Sequence, residues 1–141
     1  MLGVNEKSVA SIRRLNPPEL GTPPGYSQVV EVHARRMIFI AGQTALDQEG
    51  NLIGKNDFRA QAAQVFQNLN VALASAGCTT NNLVKLTVFL RDMENLPIYR
   101  EERNHFFDTT SPPAAPAVTL VDVSKLYGPD FMIEIEAIAA A

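Results

Sequence analysis

The chain has one cysteine, Cys78, which excludes an internal disulfide. No apolar run approaches the roughly 20 residues that a bilayer requires. The opening MLGVNEKSVASIRR has no continuous apolar stretch of the kind a secretory signal needs. These features favour the cytoplasm, or an organelle matrix if the start is a short presequence. There is no glycine-rich phosphate loop, no GxGxxG, no HExxH and no Cys/His ligand spacing, so no metal is expected. The two histidines, His33 and His105, lie far apart, and nothing in the sequence pairs them as a ribonuclease acid and base. Lys and Arg are scattered, with only Arg13-Arg14 and Arg35-Arg36 adjacent, and the net charge is −3. A nucleic-acid partner, which needs a basic stripe, is therefore not expected.

What is present is globular. At 141 residues, 46% hydrophobic and 19% charged, the chain is expected to form one domain over 1–141 with a real core. Residues 1–25, with Pro17-Pro18 and Pro23-Pro24, read as an irregular arm. Residues 27–33 alternate weakly, and 35–41 form a strongly apolar run. With about two residues between them, they predict an antiparallel hairpin. Gly42 ends the second run, where a missing side chain allows close backbone approach.

Asp47 to Asn51 form a turn cluster. A helix is predicted over 57–76, with Phe58, Ala62, Val65, Phe66, Leu69, Leu73 and Ala76 on one stripe. Asn56 or Asp57 can cap it, and Gly77 suits the left-handed position after its end. Residues 83–91 read as a central strand, with Lys85 and Thr87 on the face of Phe89. A second helix spans 96–107, with Pro97 in its first turn and Tyr99, Phe106 and Phe107 inward. A stiff connector, 112–116, leads into the closing segment 116–139, which reads as two strands joined by a short turn. The expected order is β-β-α-β-α-β-β, a two-layer α+β sandwich. Strands at 37–41, 83–90 and 131–139 look apolar on both faces. The sheet face without helices should then be buried on another subunit.

The closing segment holds two features that bear on function. Glu134 and Glu136 share a face in a strongly apolar run. Val118, near the start of the same segment, is apolar. Several motifs together carry a resemblance: GYSQVV at 25–30, IFIAGQ at 38–43, Asn68-Leu69, VKLTVFLRDM at 84–93, Phe106-Phe107 and IEIEAIA at 133–139. Over residues 16–139 the chain resembles the YjgF/RidA family, also known as L-PSP endoribonucleases or translation-inhibitor proteins. The resemblance implies a chorismate mutase-like fold and a homotrimer, with its sheets facing inward as a barrel and small-molecule clefts between subunits. It also implies an enamine/imine deaminase that hydrolyses 2-imino acids to 2-keto acids and ammonia without metal or cofactor.

Carried over residue by residue, Tyr26 matches the pocket tyrosine and Glu134 the pocket glutamate, which could hold or activate water. Glu136 shares its face but is the weaker candidate. Ala41-Gly42 match a Ser-Gly pair, so the serine hydroxyl is gone. The family's Pro-Ala-Arg-(Ser/Thr) motif becomes Pro116-Ala117-Val118-Thr119. The arginine would clamp a substrate carboxylate through two charge-assisted hydrogen bonds. Valine has no donors, and Thr119 and Leu120 are expected to make the floor more apolar. Losing bonds of about 1.5–3 kcal/mol each predicts weaker 2-imino acid binding by about two orders of magnitude. Arg100, where the family has a pocket-edge asparagine, could reach a substrate from another wall; Arg103 is the weaker candidate. Cys78 follows a helix end, so no helix dipole activates it.

Three readings follow. The first is a RidA-like hydrolase on an atypical imine or enamine. The second is a trimer that binds a metabolite without turnover or acts as a chaperone. The third, the endoribonuclease, is disfavoured by the absent basic stripe.

Overall fold

The computed structural model describes residues 11–141. The part of the expected arm before residue 11 lies outside the described residues. The strands are β1 (Ser11–Leu15), β2 (Val29–His33), β3 (Met37–Gln43), β4 (Leu83–Leu90), β5 (Ala117–Asp122) and β6 (Ile133–Ala140). The two α-helices are α1 (Phe58–Ser75) and α2 (Leu96–Phe107). The fold is α+β, with a four-stranded sheet ordered β3-β6-β4-β5 and a two-stranded sheet β1-β2.

Three strand expectations need correction. The arm is not irregular to residue 25, because it contributes β1. The predicted hairpin between β2 and β3 does not form; β2 pairs antiparallel with β1, and β3 with β6. The physical reason lies in side-chain pattern. β2 alternates between half-buried and exposed residues, which suits a two-stranded flap. β3 carries Ile38 and Ile40 toward the core and needs β6, whose alternate residues Ile133, Ile135, Ala137 and Ala139 are all buried. The C-terminus competes for the short link, since Arg35 and Arg36 amides both donate to the Ala141 carbonyl.

The third correction concerns the closing strands. They are not neighbours: β5 runs parallel to β4 on one side, and β6 antiparallel to it on the other. A parallel pair needs a crossover, and α2 supplies it. The segment between β5 and β6 is tied down by Gln61, a buried polar side chain of α1. Its amide donates to the Gly54 and Asp130 carbonyls and accepts from the Met132 amide. All three partners are backbone groups, which explains a glutamine in an apolar stripe.

The helices form where their signals lie. Asp57 caps α1 by accepting from the Ala60 amide, and Gly77 adopts φ +72° after its end. Phe58, Ala62, Val65, Phe66, Leu69 and Leu73 are buried against one face of the sheet. Phe66 stacks on Phe106 with centroids 4.7 Å apart, locking α1 to α2.

The other sheet face is open and chemically mixed. Phe39 is 73% exposed and Met37 50%. Register places Phe39 opposite Ile138, Thr87 opposite Glu136 and Phe89 opposite Glu134 on this face. The strands are thus not apolar on both faces throughout. β3 is, but β4 and β6 bring Lys85, Thr87, Glu134 and Glu136 to the open side. No helix among the described residues is long and apolar enough to cross a membrane.

Candidate functional site

The candidate residues fall into two groups on opposite faces of the sheet. The division follows from the two-residue period of a strand. Val118 pairs with Leu86, which points to the helices, whereas Thr119 pairs with Thr87 on the open face.

The first group lies between β5, α2 and the loop at Gly25. Tyr26, Arg100 and Val118 line a cavity of about 190 Å³ together with Tyr99, Arg103 and Leu120. Leu120 shares the Val118 side, as expected. Thr119 does not; it accepts a hydrogen bond from Lys85 Nζ on the open face. Arg100 is exposed and makes no ion pair among the described residues.

Arg103 is the residue that sequence reasoning undervalued. It is only 7% exposed. Its guanidinium carbon lies 5.9 Å from the ring centroids of both Tyr99 and Phe107. It also presses on Gly25, where an added Cβ would lie 2.6 Å from Nη2. Burial pulls its pKa below the ordinary arginine value; Tyr99 opposes this and Arg100 adds to it. The signal was present in the spacing: position 103 is four after Tyr99 and three before Phe106, on the inward stripe.

The second group surrounds Glu134 on the open face. β3 bulges between Ile40 and Gln43, and Ala41-Gly42 form the bulge. An ideal Cβ on Gly42 would lie 2.0 Å from Glu134 Oε2. Any side chain here would have to displace the carboxylate resting on it, a sharper reason for glycine than a plain strand end. Desolvation pushes the Glu134 carboxyl pKa up, and the neighbouring Glu136 carboxylate adds to the rise. Lys85 is pulled down by desolvation, with Glu136 opposing. Ala41 accepts from the Gln43 side-chain amide at 3.0 Å through its carbonyl.

A larger groove, about 660 Å³, starts at Gly42 and runs past Thr44, Asn68 and Tyr127. Several of its polar groups hold the loop after β3. Asn68 Nδ2 donates to the Thr44 and Leu46 carbonyls at 3.1 and 2.9 Å, and Tyr127 shares a 2.7 Å bond with Thr44. Asn68 has a structural role as a loop clamp.

Of the remaining candidates, Cys78 is buried and His105 is exposed on α2 beside Glu102. Among the described residues no group of His, Cys, Asp and Glu is arranged to hold a metal.

The chain is thus an α+β fold with a carboxylate over a bulge glycine on one sheet face and a cationic pocket on the other. The family model described as Endoribonuclease L-PSP matches residues 19–141, and the chain belongs to that family. A RutC family protein from Pyrococcus abyssi is 37% identical over 114 residues, 81% of this chain and 84% of the relative. The mouse 2-iminobutanoate/2-iminopropanoate deaminase is 36% identical over 114 residues, 81% of this chain and 79% of its own. Among solved structures, the Rid family protein YyfB from Yersinia pestis, itself of unknown function, superimposes with TM-score 0.83 at 32% identity. That match covers 92% of this chain and 98% of YyfB.

Proposed function

We propose that this chain is an imine or enamine hydrolase in which Glu134 handles the attacking water. The observation that carries the reading is the Glu134 carboxylate lying over Gly42, where any added side chain would displace it. A carboxylate raised by desolvation is better matched to proton transfer near neutrality than an ordinary one. The likeness to a mouse protein named as an imine deaminase supports the reaction class.

In the proposed cycle, Glu134 takes a proton from water as the oxygen bonds to the imine carbon. Glu134 returns that proton to the nitrogen, giving a neutral carbinolamine. The carbinolamine hydroxyl then gives up its proton, passed through Glu134 to the same nitrogen, as the C=O bond forms and the C–N bond breaks to release ammonia. Water and imine thus become carbonyl compound and ammonia, with atoms and charge balanced.

The two groups of residues point away from each other within one chain. We infer that a working cleft joins the Tyr26–Val118 wall of one copy to the Gly42–Glu134 wall of another. The homotrimer implied by the family resemblance meets that requirement, and the exposed Phe39 and Met37 beside the Glu134 face give it an apolar surface to cover. Val118 leaves β5 without a cation, so the substrate is anchored differently from one held by an arginine there.

The test is ammonia release from 2-iminopropanoate and 2-iminobutanoate generated in situ, measured above the spontaneous rate. Glu134→Gln should lower the catalysed rate by about 100-fold or more. A Glu134→Gln protein as active as the parent would end this reading.

A further inference from the structure

The groove that runs from Gly42 to Tyr127 is opposite in charge to the Arg103 pocket. Among the described residues no lysine, arginine or histidine lines it, whereas Asp47 does. Carboxamides make up much of the rest, and their orientation follows from what their N–H groups reach. Gln64 Nε2 donates to the Leu46 carbonyl at 3.2 Å and to Asn68 Oδ1 at 3.0 Å. Gln43 Nε2 donates to the Ala41 carbonyl and Gln48 Nε2 to the Glu49 carboxylate, each at 3.0 Å. A carbonyl or carboxylate partner must face the amide nitrogen. The side-chain oxygens of Gln43, Gln48 and Gln64 are therefore the groups left over, with no donor among the described residues.

Asp47 adds charge to these acceptors. Its Oδ1 accepts from the Glu49 and Asn51 amides, while Oδ2 has only a long 3.4 Å contact from Asn51 Nδ2. The Asn51 amide, the strongest of these influences, holds the carboxyl below its ordinary pKa, so it is ionised at neutral pH.

Two apolar surfaces also face solvent here. Tyr127 is 70% exposed, yet it is fixed by the Thr44 hydroxyl and by the Phe131 ring, 4.7 Å away between centroids. Gly128 makes room for that packing, since a Cβ there would lie 2.7 Å from the Phe131 ring. Val71, 64% exposed, continues the stripe of Gln64, Gln67 and Asn68 along α1. Free acceptors, a carboxylate, a fixed aromatic ring and no cation suit a positively charged organic ligand.

We propose that this groove binds a linear aliphatic amine in its ammonium form. The ammonium group is held by the Tyr127 ring, Asp47 and the free carboxamide oxygens, and the methylene chain lies on Val71. The volume of about 660 Å³ is in the range of small-molecule sites. Binding here goes beyond the hydrolase reading, because it needs no turnover at Glu134.

The test is calorimetric titration of the full chain at low salt with 1,6-diaminohexane and with hexane-1,6-diol, an uncharged molecule of the same length. The diamine should bind about tenfold or more tightly than the diol. Asp47→Asn keeps an oxygen for the Glu49 and Asn51 amides but loses the charge. It should weaken the diamine about threefold to fivefold. Tyr127→Leu should weaken it by about the same factor, whereas Tyr127→Phe, which keeps the ring, should stay within about twofold of the parent. Asp122→Asn, at an exposed carboxylate on β5, controls for diffuse attraction and should bind like the parent. Equal affinity for diamine and diol, no binding by the parent, or an unchanged affinity in Asp47→Asn or Tyr127→Leu would each overturn the proposal. So would a loss in Asp122→Asn equal to that in Asp47→Asn, or a loss in Tyr127→Phe equal to that in Tyr127→Leu. If Tyr127→Leu does not fold, Asp47→Asn and its control decide.

Discussion

The two faces of the four-stranded sheet use the same strands for opposite purposes. Under the helices, Leu86, Val88, Ile133 and Ile135 are fully buried and pack as hydrocarbon. One residue along each strand, the side chains become Lys85, Thr87, Glu134 and Glu136, with Phe39 and Phe89 beside them. The covered face supplies stability. The open face holds a raised carboxylate, a depressed lysine and an unusually exposed phenylalanine, groups that a folded monomer gains nothing by displaying. The difference teaches that strand alternation alone can divide a short chain into a structural side and a chemical side.

The largest expected effect tests that division directly. Leu69→Ala on α1, at 0% exposure, should cost about 3 kcal/mol of unfolding free energy, independent of protein concentration. Phe39→Ala on the open face should change the stability of a lone chain by less than about 0.5 kcal/mol. If copies associate through this face, the same change lowers thermal stability, weakens its dependence on protein concentration and shifts sedimentation toward monomer. We expect that second behaviour. A Phe39→Ala protein with unaltered mass and melting temperature at every concentration would leave the open face without a partner there.

Next is Gly42→Ala. The new methyl must displace Glu134 Oε2, the far end of a flexible side chain, so the fold should survive. Hydrolysis should fall about tenfold or more, because a carboxylate moved by an ångström no longer addresses the same water. Unchanged turnover would show that the carboxylate's position over the bulge is immaterial. Smaller again is Asp57→Ala, which removes the bond to the Ala60 amide at the start of α1. It should lower stability by about 1 kcal/mol in denaturant titrations, with hydrolysis unaffected.

Local physics was legible in the sequence wherever one segment determined its own state. The α2 boundaries fell at Leu96 and Phe107 as expected, and the cap and stop of α1 at Asp57 and Gly77 were read from their chemistry. Pairing was less legible, because it depends on competition. β2 could have paired with β3, but β6 offered β3 a fully buried partner, and the arm offered β2 another. Register decided the site in the same way. Glu134 and Val118 both belong to the closing segment, yet strand parity and the intervening crossover send them to opposite faces. Arg103 was hidden by its type: a charged side chain on an inward position reads as solvated until its neighbours are known.

The smallest effect concerns what Glu134 costs the fold. Its carboxyl is raised in the folded chain by desolvation and by Glu136, so folding favours the protonated form. The sign follows from linkage. The associated stability is fully present below the ordinary carboxylate pKa, and it is lost as pH rises through the higher folded value. Glu134→Gln, which cannot ionise, should therefore melt slightly above the parent at neutral pH. The advantage should disappear in acid, once the parent carboxyl is protonated in both states. A variant that instead melts lower at neutral pH would mean that ionised Glu134 is held by favourable contacts. In that case Lys85, which feels the same Glu136, is the first neighbour to substitute.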